Sequence, residues 1–200
     1  AGLLGLTFGI AGFAIYWSQF GPGLDREADR LAAMVELRPG MTVAEIGAGK
    51  GRLALRFSAR VGRLYATEMD PRKLKALRGL AAERGLKNVV VIPAGEHTTG
   101  LLDGCCDVIY MRRTYHHFTD KDSMNKSLFA ALRGGGRLAV VDFLSPRWLC
   151  FLRHGVAREA VLGEIISAGF VLERRVDEWS PIDYCLVFRK PASIGKPPVH

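Results

Sequence analysis

The chain is poor in the residues that build disulfide or metal frameworks. Its four cysteines stand at positions 105, 106, 150 and 185. None forms a CxxC pair, and too few histidines lie near them for a zinc site. This usage fits reduced thiols in a cytosolic compartment better than a disulfide scaffold. Internal repeats and low-complexity tracts are also missing. The 200 residues therefore suit one domain with a sizeable core and a short appendage.

Charge is missing too, but only locally. From Ala1 to Leu24 there is no Asp, Glu, Lys, Arg or His. As a helix, AGLLGLTFGIAGFAIYWSQF would extend about 30 Å, roughly the hydrocarbon thickness of a bilayer. Gly2, Gly5, Gly9 and Gly12 fall on one helical face, as in closely packed membrane helices. Tyr16, Trp17 and Phe20 cluster where an aromatic belt would sit. Arg26 and Arg30 follow, which by the positive-inside rule puts the rest of the chain on the cytoplasmic side. Two other readings compete. A signal peptide would need a basic n-region and an A-x-A site, and neither is visible; a buried helix of a soluble fold is the other. The expectation carried forward is a membrane anchor at residues 1–20, a domain at 24–190 with a cytoplasmic location, and a flexible tail at 191–200. The chain starts with Ala rather than Met, so it reads as a piece in which further membrane segments can come first.

Charge is otherwise plentiful. The formal net charge is +8, which suits nucleic acid, an anionic membrane surface, or simple solubility.

After the break at Gly21-Pro22-Gly23, apolar strands alternate with helices. Helices are expected at 25–37, 51–61, 70–84 and 156–168. A further helix, capped by Thr119 or Asp120 and carrying Met124, Leu128, Phe129 and Leu132, is expected to end at Gly134-Gly135-Gly136. Strands are expected at 41–46, 63–68, 88–92, 107–111 and 137–143. Two closing strands, 170–176 and 183–189, have no helix between them. The pattern predicts an α/β three-layer sandwich around a mostly parallel seven-stranded sheet with an antiparallel C-terminal strand.

Chemistry concentrates at AEIGAGKG, residues 44–51. A phosphate loop would need Gly at Ala44 and Ser or Thr at Gly51. A dinucleotide fingerprint would need Gly or Ala where Arg52 stands. What remains is E-x-G-x-G-x-G: Glu45, Gly47, Gly49 and Gly51 at a strand end. Glu68 ends the second strand, where a carboxylate can hold a ribose diol. AGEH (94–97) follows the third strand. D-G-x-x-D-V leads into the fourth, which continues as IYMRRTYHHF (109–118).

This constellation resembles the class I S-adenosylmethionine-dependent methyltransferases over residues 25–190. The resemblance implies S-adenosyl-L-methionine as cofactor. Its contacts would be Glu45, Gly47, Ala48, Gly49 and Gly51 around the methionine portion, and Glu68 and Met69 at the ribose. Gly95, Glu96 and His97 would lie near the adenine, and Met111 and Arg112 would line the pocket. The sequence departs from the family at Gly95, where an acid is usual, so Glu96 or His97 would substitute. No metal is implied.

Methyl transfer needs orientation first, and a base only if the acceptor loses a proton. The candidates are His116 and His117, with Tyr115 walling the pocket; the alternative is that one histidine packs and caps the next helix while the other lines the cofactor. His154 is a weaker one. Arg112 and Arg113 either meet an anionic substrate or are solvated, and Arg72, Lys73, Lys75 and Arg78 read as an exposed helix face, with an acidic partner as the alternative. The Asn/Asp-Pro-Pro-Tyr/Phe signature of amino-methylating nucleic-acid enzymes is absent, which weakens a nucleic-acid substrate. LSPRWLCFLRHG (144–155) has the composition of a lid or membrane-surface segment. The expected function is methylation of a small or lipophilic acceptor on oxygen or carbon. The alternatives are a non-catalytic cofactor-binding module acting through a partner, and a nucleic-acid methyltransferase.

Overall fold

The computed structural model describes residues 22–144 and 157–192. The apolar stretch 1–20, Cys150, His154, most of segment 144–155 and most of the tail lie outside them. Among the described residues no helix is long and apolar enough to cross a membrane.

Among the described residues, seven strands form one sheet in the order β3-β2-β1-β4-β5-β7-β6. They are β1 (Thr42–Ile46), β2 (Arg63–Glu68), β3 (Val89–Pro93), β4 (Cys106–Arg112), β5 (Leu132–Phe143), β6 (Val171–Val176) and β7 (Asp183–Arg189). Strands β1 to β5 run parallel, and β7 is antiparallel to both of its neighbours. The helices are α1 (Pro22–Met34), α2 (Ala54–Ser58), α3 (Pro71–Glu83), α4 (Lys121–Ala131) and α5 (Arg158–Ser167).

Period-two alternation divides the strands between two cores. Val43, Val108, Tyr110 and Ala139 pack with Leu24, Ala28 and Leu31 of α1, Phe57 of α2 and Leu77 of α3. Ala44, Ile46, Ile109, Met111 and Val140 pack with Met124 and Leu128 of α4 and Val161 and Ile165 of α5. The expected three-layer sheet with its antiparallel C-terminal strand is present.

The helix expected at 25–37 starts and ends three residues earlier, as α1, and two other boundaries differ more. The helix expected at 51–61 shrinks to α2, because the glycine loop occupies the residues before it. Gly134-Gly135-Gly136 does not close a helix: β5 begins at Leu132, directly after α4, and runs through the glycines. The pairing register of β4 against β5 shifts between Cys106 and Val108, so the glycines accommodate a bulge. The end of α4 is capped from a distance, since Lys190 Nζ donates to Phe129 O and Leu132 O at 2.7 and 2.8 Å. Local signals were reliable where a side chain does the capping. Asp70 accepts from Arg72 N ahead of Pro71, and Asp120 accepts from Ser123 N.

The parallel half is joined to the antiparallel end by a buried ion pair. Arg113 follows β4 with φ +54°. It donates from Nε and Nη2 to the two carboxylate oxygens of Asp183 on β7, at 2.9 and 2.8 Å. Both side chains are nearly inaccessible, at 5% and 1%. Removing one partner of such a pair leaves an uncompensated buried charge. Arg113→Met is therefore expected to lower unfolding stability by about 3–5 kcal/mol. Arg113→Met combined with Asp183→Leu should recover part of that loss in denaturant melts.

Candidate cofactor and active site

The site is built at the carboxyl ends of β1, β2 and β4, where an open parallel sheet leaves a crevice. Gly47, Gly49 and Gly51 have φ of +71°, +56° and +69°, a region that penalises any side chain. Space distinguishes the three. A Cβ on Gly47 would lie 2.5 Å from Thr114 Cγ2, and one on Gly51 would lie 2.2 Å from Leu77 Cδ1. On Gly49 the nearest atom would be Gly47 O, 4.0 Å away. Gly47 and Gly51 are thus needed for packing, and Gly49 is the one that faces open space.

Glu68 holds this loop in place. Its carboxylate accepts from Gly49 N at 2.9 Å and from Met69 N and Asp70 N at 2.9 and 3.1 Å. Lys73 Nζ stands 4.0 Å away. A carboxylate offers about four acceptor directions, so three backbone donors leave room for a further hydroxyl.

Two cavities flank the loop, with volumes of 420 and 370 Å³. The larger is lined by Glu68, Met69, Ala94, Gly95, Thr114, His117, Phe118 and Met124, among others. The smaller is lined by Leu24, Glu45, Ala48, Lys50, Arg52 and Leu53. Gly47, Gly49, Lys73, Arg112 and Arg113 belong to both. A nucleoside joined to an amino acid fits this pair of volumes, with the Glu68 carboxylate on one wall and the uncrowded Gly49 between them. The residues present therefore fit S-adenosylmethionine.

Several expected contacts lie elsewhere. Met111 is fully buried against α4 and α5, so it does not line the cavities. It shares the Ile109 face of β4, whereas Arg112 shares the Tyr110 and Glu45 face. Tyr115 is also fully buried. Its hydroxyl donates to Glu164 Oε2 and accepts from Asn125 Nδ2, both at 2.9 Å. It braces α4 and α5 and does not wall the pocket. Gly95 reaches the larger cavity, but Glu96 and His97 do not line it. Their side chains are 68% and 60% exposed, and His97 Nδ1 faces Asp120 Oδ2 at 3.2 Å. Among the described residues no acid on the adenine side replaces the one missing at Gly95, and the lining they give there is mainly apolar: Met69, Ala94 and Phe118.

Arg112 and Arg113 are not solvated. Arg112 Nε donates to Glu27 of α1 at 2.8 Å, and Arg113 is held by Asp183. Sequence reasoning passed over Thr114, whose only signal is its position just past β4. Lys73, read as part of an exposed helix face, is exposed and also borders both cavities.

The histidines divide. His116 is held by Asp142 of β5, which accepts from its backbone N at 3.0 Å and bonds its Nδ1 at 2.7 Å. Its ring lies 4.0 Å from that of His117, and His117 is the one that lines the larger cavity.

Glu45 is a strongly perturbed carboxyl. Burial lifts its carboxyl to about 8, opposed by hydrogen bonds from the Tyr110 hydroxyl and the Ala54 backbone and by the charge of Arg112. The folded-state value lies above the ordinary 4.5. Its stabilising contribution is therefore complete below that value and lost as pH rises towards 8. Glu45→Gln is expected to flatten the fall in Tm between about pH 5 and 8. A cationic ligand nearby favours the ionised form, so binding at neutral pH should release a proton from the wild type and none from Glu45→Gln; calorimetry in buffers of different ionisation enthalpy measures this. Glu68→Ala should weaken cofactor binding more than about tenfold, a loss of roughly 1.4 kcal/mol or more, and should lower Tm as well, because the glycine loop loses its tether.

A family profile described as a methyltransferase domain matches residues 44–140. Among curated relatives, the ubiquinone/menaquinone biosynthesis C-methyltransferase UbiE of Shewanella frigidimarina is 30% identical over 114 residues, 55% of this chain and 45% of that protein. UbiE of Idiomarina loihiensis is 32% identical over the same span. The chain thus spans about half the length of these relatives. In fold it is similar to a SAM-dependent methyltransferase from Aquifex aeolicus, with a TM-score of 0.73 at 21% identity, covering 86% of this chain and 99% of that one. It is also similar to the [4+2]-cyclase SpnF, with a TM-score of 0.72 at 19% identity, covering 84% of this chain and 81% of that one. Residues 44–140 thus match a methyltransferase-domain family, and the described residues share the fold of SAM-dependent methyltransferases.

Proposed function

We propose that the protein transfers a methyl group from S-adenosylmethionine to a small or lipophilic acceptor, on oxygen or carbon. The observation that carries this reading is the Glu68–Gly49 hydrogen bond, which joins the glycine loop to the expected ribose carboxylate at the cavity wall. The relatives named for C-methylation in quinone biosynthesis support an apolar acceptor. A fold neighbour named geranyl diphosphate methyltransferase, with a TM-score of 0.71 at 14% identity, is named for a molecule that joins an apolar chain to a diphosphate.

When bound, the cofactor supplies a methyl group already activated by a sulfonium. Glu68, Gly49 and the apolar groups Met69, Ala94 and Phe118 would hold it. Glu45, at the other cavity, would balance its positive charge once ionised. His117 would take the proton from an acceptor hydroxyl or acidic carbon. His116, fixed by Asp142, would set the position of His117 through ring contact.

The membrane placement belongs to the same proposal. Residues 1–20 would tether the domain, with the domain on the cytoplasmic side. A second reading, a cofactor-binding domain without methyl transfer, draws on the fold neighbour named as a cyclase and on the missing acid at Gly95.

Incubating the full chain with methyl-labelled cofactor and a total lipid extract separates the two. A labelled organic-phase product is expected, lost in Glu68→Ala. His117→Ala should lower kcat by about 10²–10⁴ without changing cofactor affinity, if the acceptor must lose a proton. Cofactor binding with no label transferred to lipids or to small polar metabolites would sink the enzymatic reading in favour of the binding domain.

A further inference from the structure

The excess of positive charge is not evenly placed. At the β6 end the arginines are matched by acids: Arg137 with Glu36 and Glu173, Arg158 with Glu159 and Asp177, Arg174 with Glu36, and Arg175 with Glu159 and Asp177. The opposite end differs. Helix α3 and the turn after it carry Arg72, Lys73, Lys75, Arg78, Arg84 and Lys87, all exposed, against a single acid, Glu83. Among the described residues, the ion pairs of this segment are Arg72 with Asp70 and the long contact of Lys73 with Glu68.

The charged face continues into a groove of 520 Å³ between α2 and α3. Lys50, Arg52, Arg84 and Arg56, the last paired with Asp25, surround its apolar Leu55 and Leu80. Lys50 and Arg52 also border the 370 Å³ cavity, whose lining includes Leu24. Leu24 is the last residue of the charge-free run. The chain therefore passes from that run into α1 beside the cationic groups, and Lys50 and Lys73 tie those groups to the cavity rim.

We propose that this face, made by α3, the α2–α3 groove and Lys50, docks on an anionic lipid bilayer and turns the cavity mouth towards the headgroups. Clustered ammonium and guanidinium groups are attracted to an anionic leaflet within about a Debye length of it. The half-buried leucines of the groove suit the boundary between headgroups and acyl chains. A nucleic acid would meet the same charge. The adjoining apolar run favours lipid, and this choice rests on the membrane reading given above. An acceptor dissolved in the bilayer would then reach the cavity without crossing water.

Partition of the purified full chain onto vesicles tests the assignment. Phosphatidylcholine vesicles, with and without phosphatidylglycerol, are compared at low and high salt. Anionic lipid is expected to raise partition at least about tenfold at low salt, given roughly fivefold per basic residue at the surface. High salt should erase the gain. The quadruple variant Lys75→Gln, Arg78→Gln, Arg84→Gln, Lys87→Gln should lose most of the gain and keep the wild-type partition onto neutral vesicles. Equal partition of the wild type onto both vesicles overturns the proposal, as does a variant that keeps the full preference. Salt-steep binding to duplex DNA or RNA, lost in the variant and without any lipid preference, overturns it in favour of a nucleic-acid surface. Absence from neutral vesicles counts against the apolar anchor alone, and the anionic increment still decides the docking face.

Discussion

The site depends on one buried carboxylate collecting backbone N–H groups. Glu68 ends β2 and takes donors from both sides of a gap, from Gly49 in the glycine loop and from Met69 and Asp70 in its own turn. A loop in which Gly47, Gly49 and Gly51 all take positive φ has little stiffness of its own. The carboxylate supplies that stiffness, and Ala48 N adds a bond to Thr67 O at 2.8 Å. Because β1 and β2 are adjacent parallel strands, this tie fixes the distance between the two ends of the ligand crevice. Pre-formed geometry of this kind lowers the ordering cost of binding.

The fold was legible because its strongest signals are local and periodic. Asp70-Pro71 specifies a helix start by chemistry alone, and the structure shows that cap. The two closing strands stood out because no helical pattern separates them. Gly134-Gly135-Gly136 misled for a physical reason. Glycine ends helices and also relieves crowding at a bulge, and only the β4–β5 pairing decides between these roles.

At the site, the residues fixed by backbone spacing were readable and those fixed by side-chain direction were not. Glu45, Gly49 and Glu68 follow from strand ends and spacing. Met111 and Arg112 are neighbours in sequence, but the pleat sends one into the core and the other to the cavity. Both faces of a central parallel strand are buried, so hydrophobicity gives no warning of which is which. Tyr115 was equally ambiguous, because its partners Asn125 and Glu164 lie on helices distant in sequence. The pairing of Arg113 with Asp183, 70 positions apart, left no local trace.

The sheet order has a consequence for how the molecule is made. The strand between β5 and β6 comes last in sequence among the described strands, and six of its seven residues are buried. Until Arg189 has left the ribosome, β5 presents an open hydrogen-bonding edge and β6 has no neighbour. The parallel half can collapse early around α1 to α4, but the antiparallel end must wait for β7 to be inserted between two elements already synthesised. A chain cut short before residue 183 would expose the flank of its own core, a ready template for pairing with another copy. The closing strand is thus as much a seal against aggregation as a part of the fold.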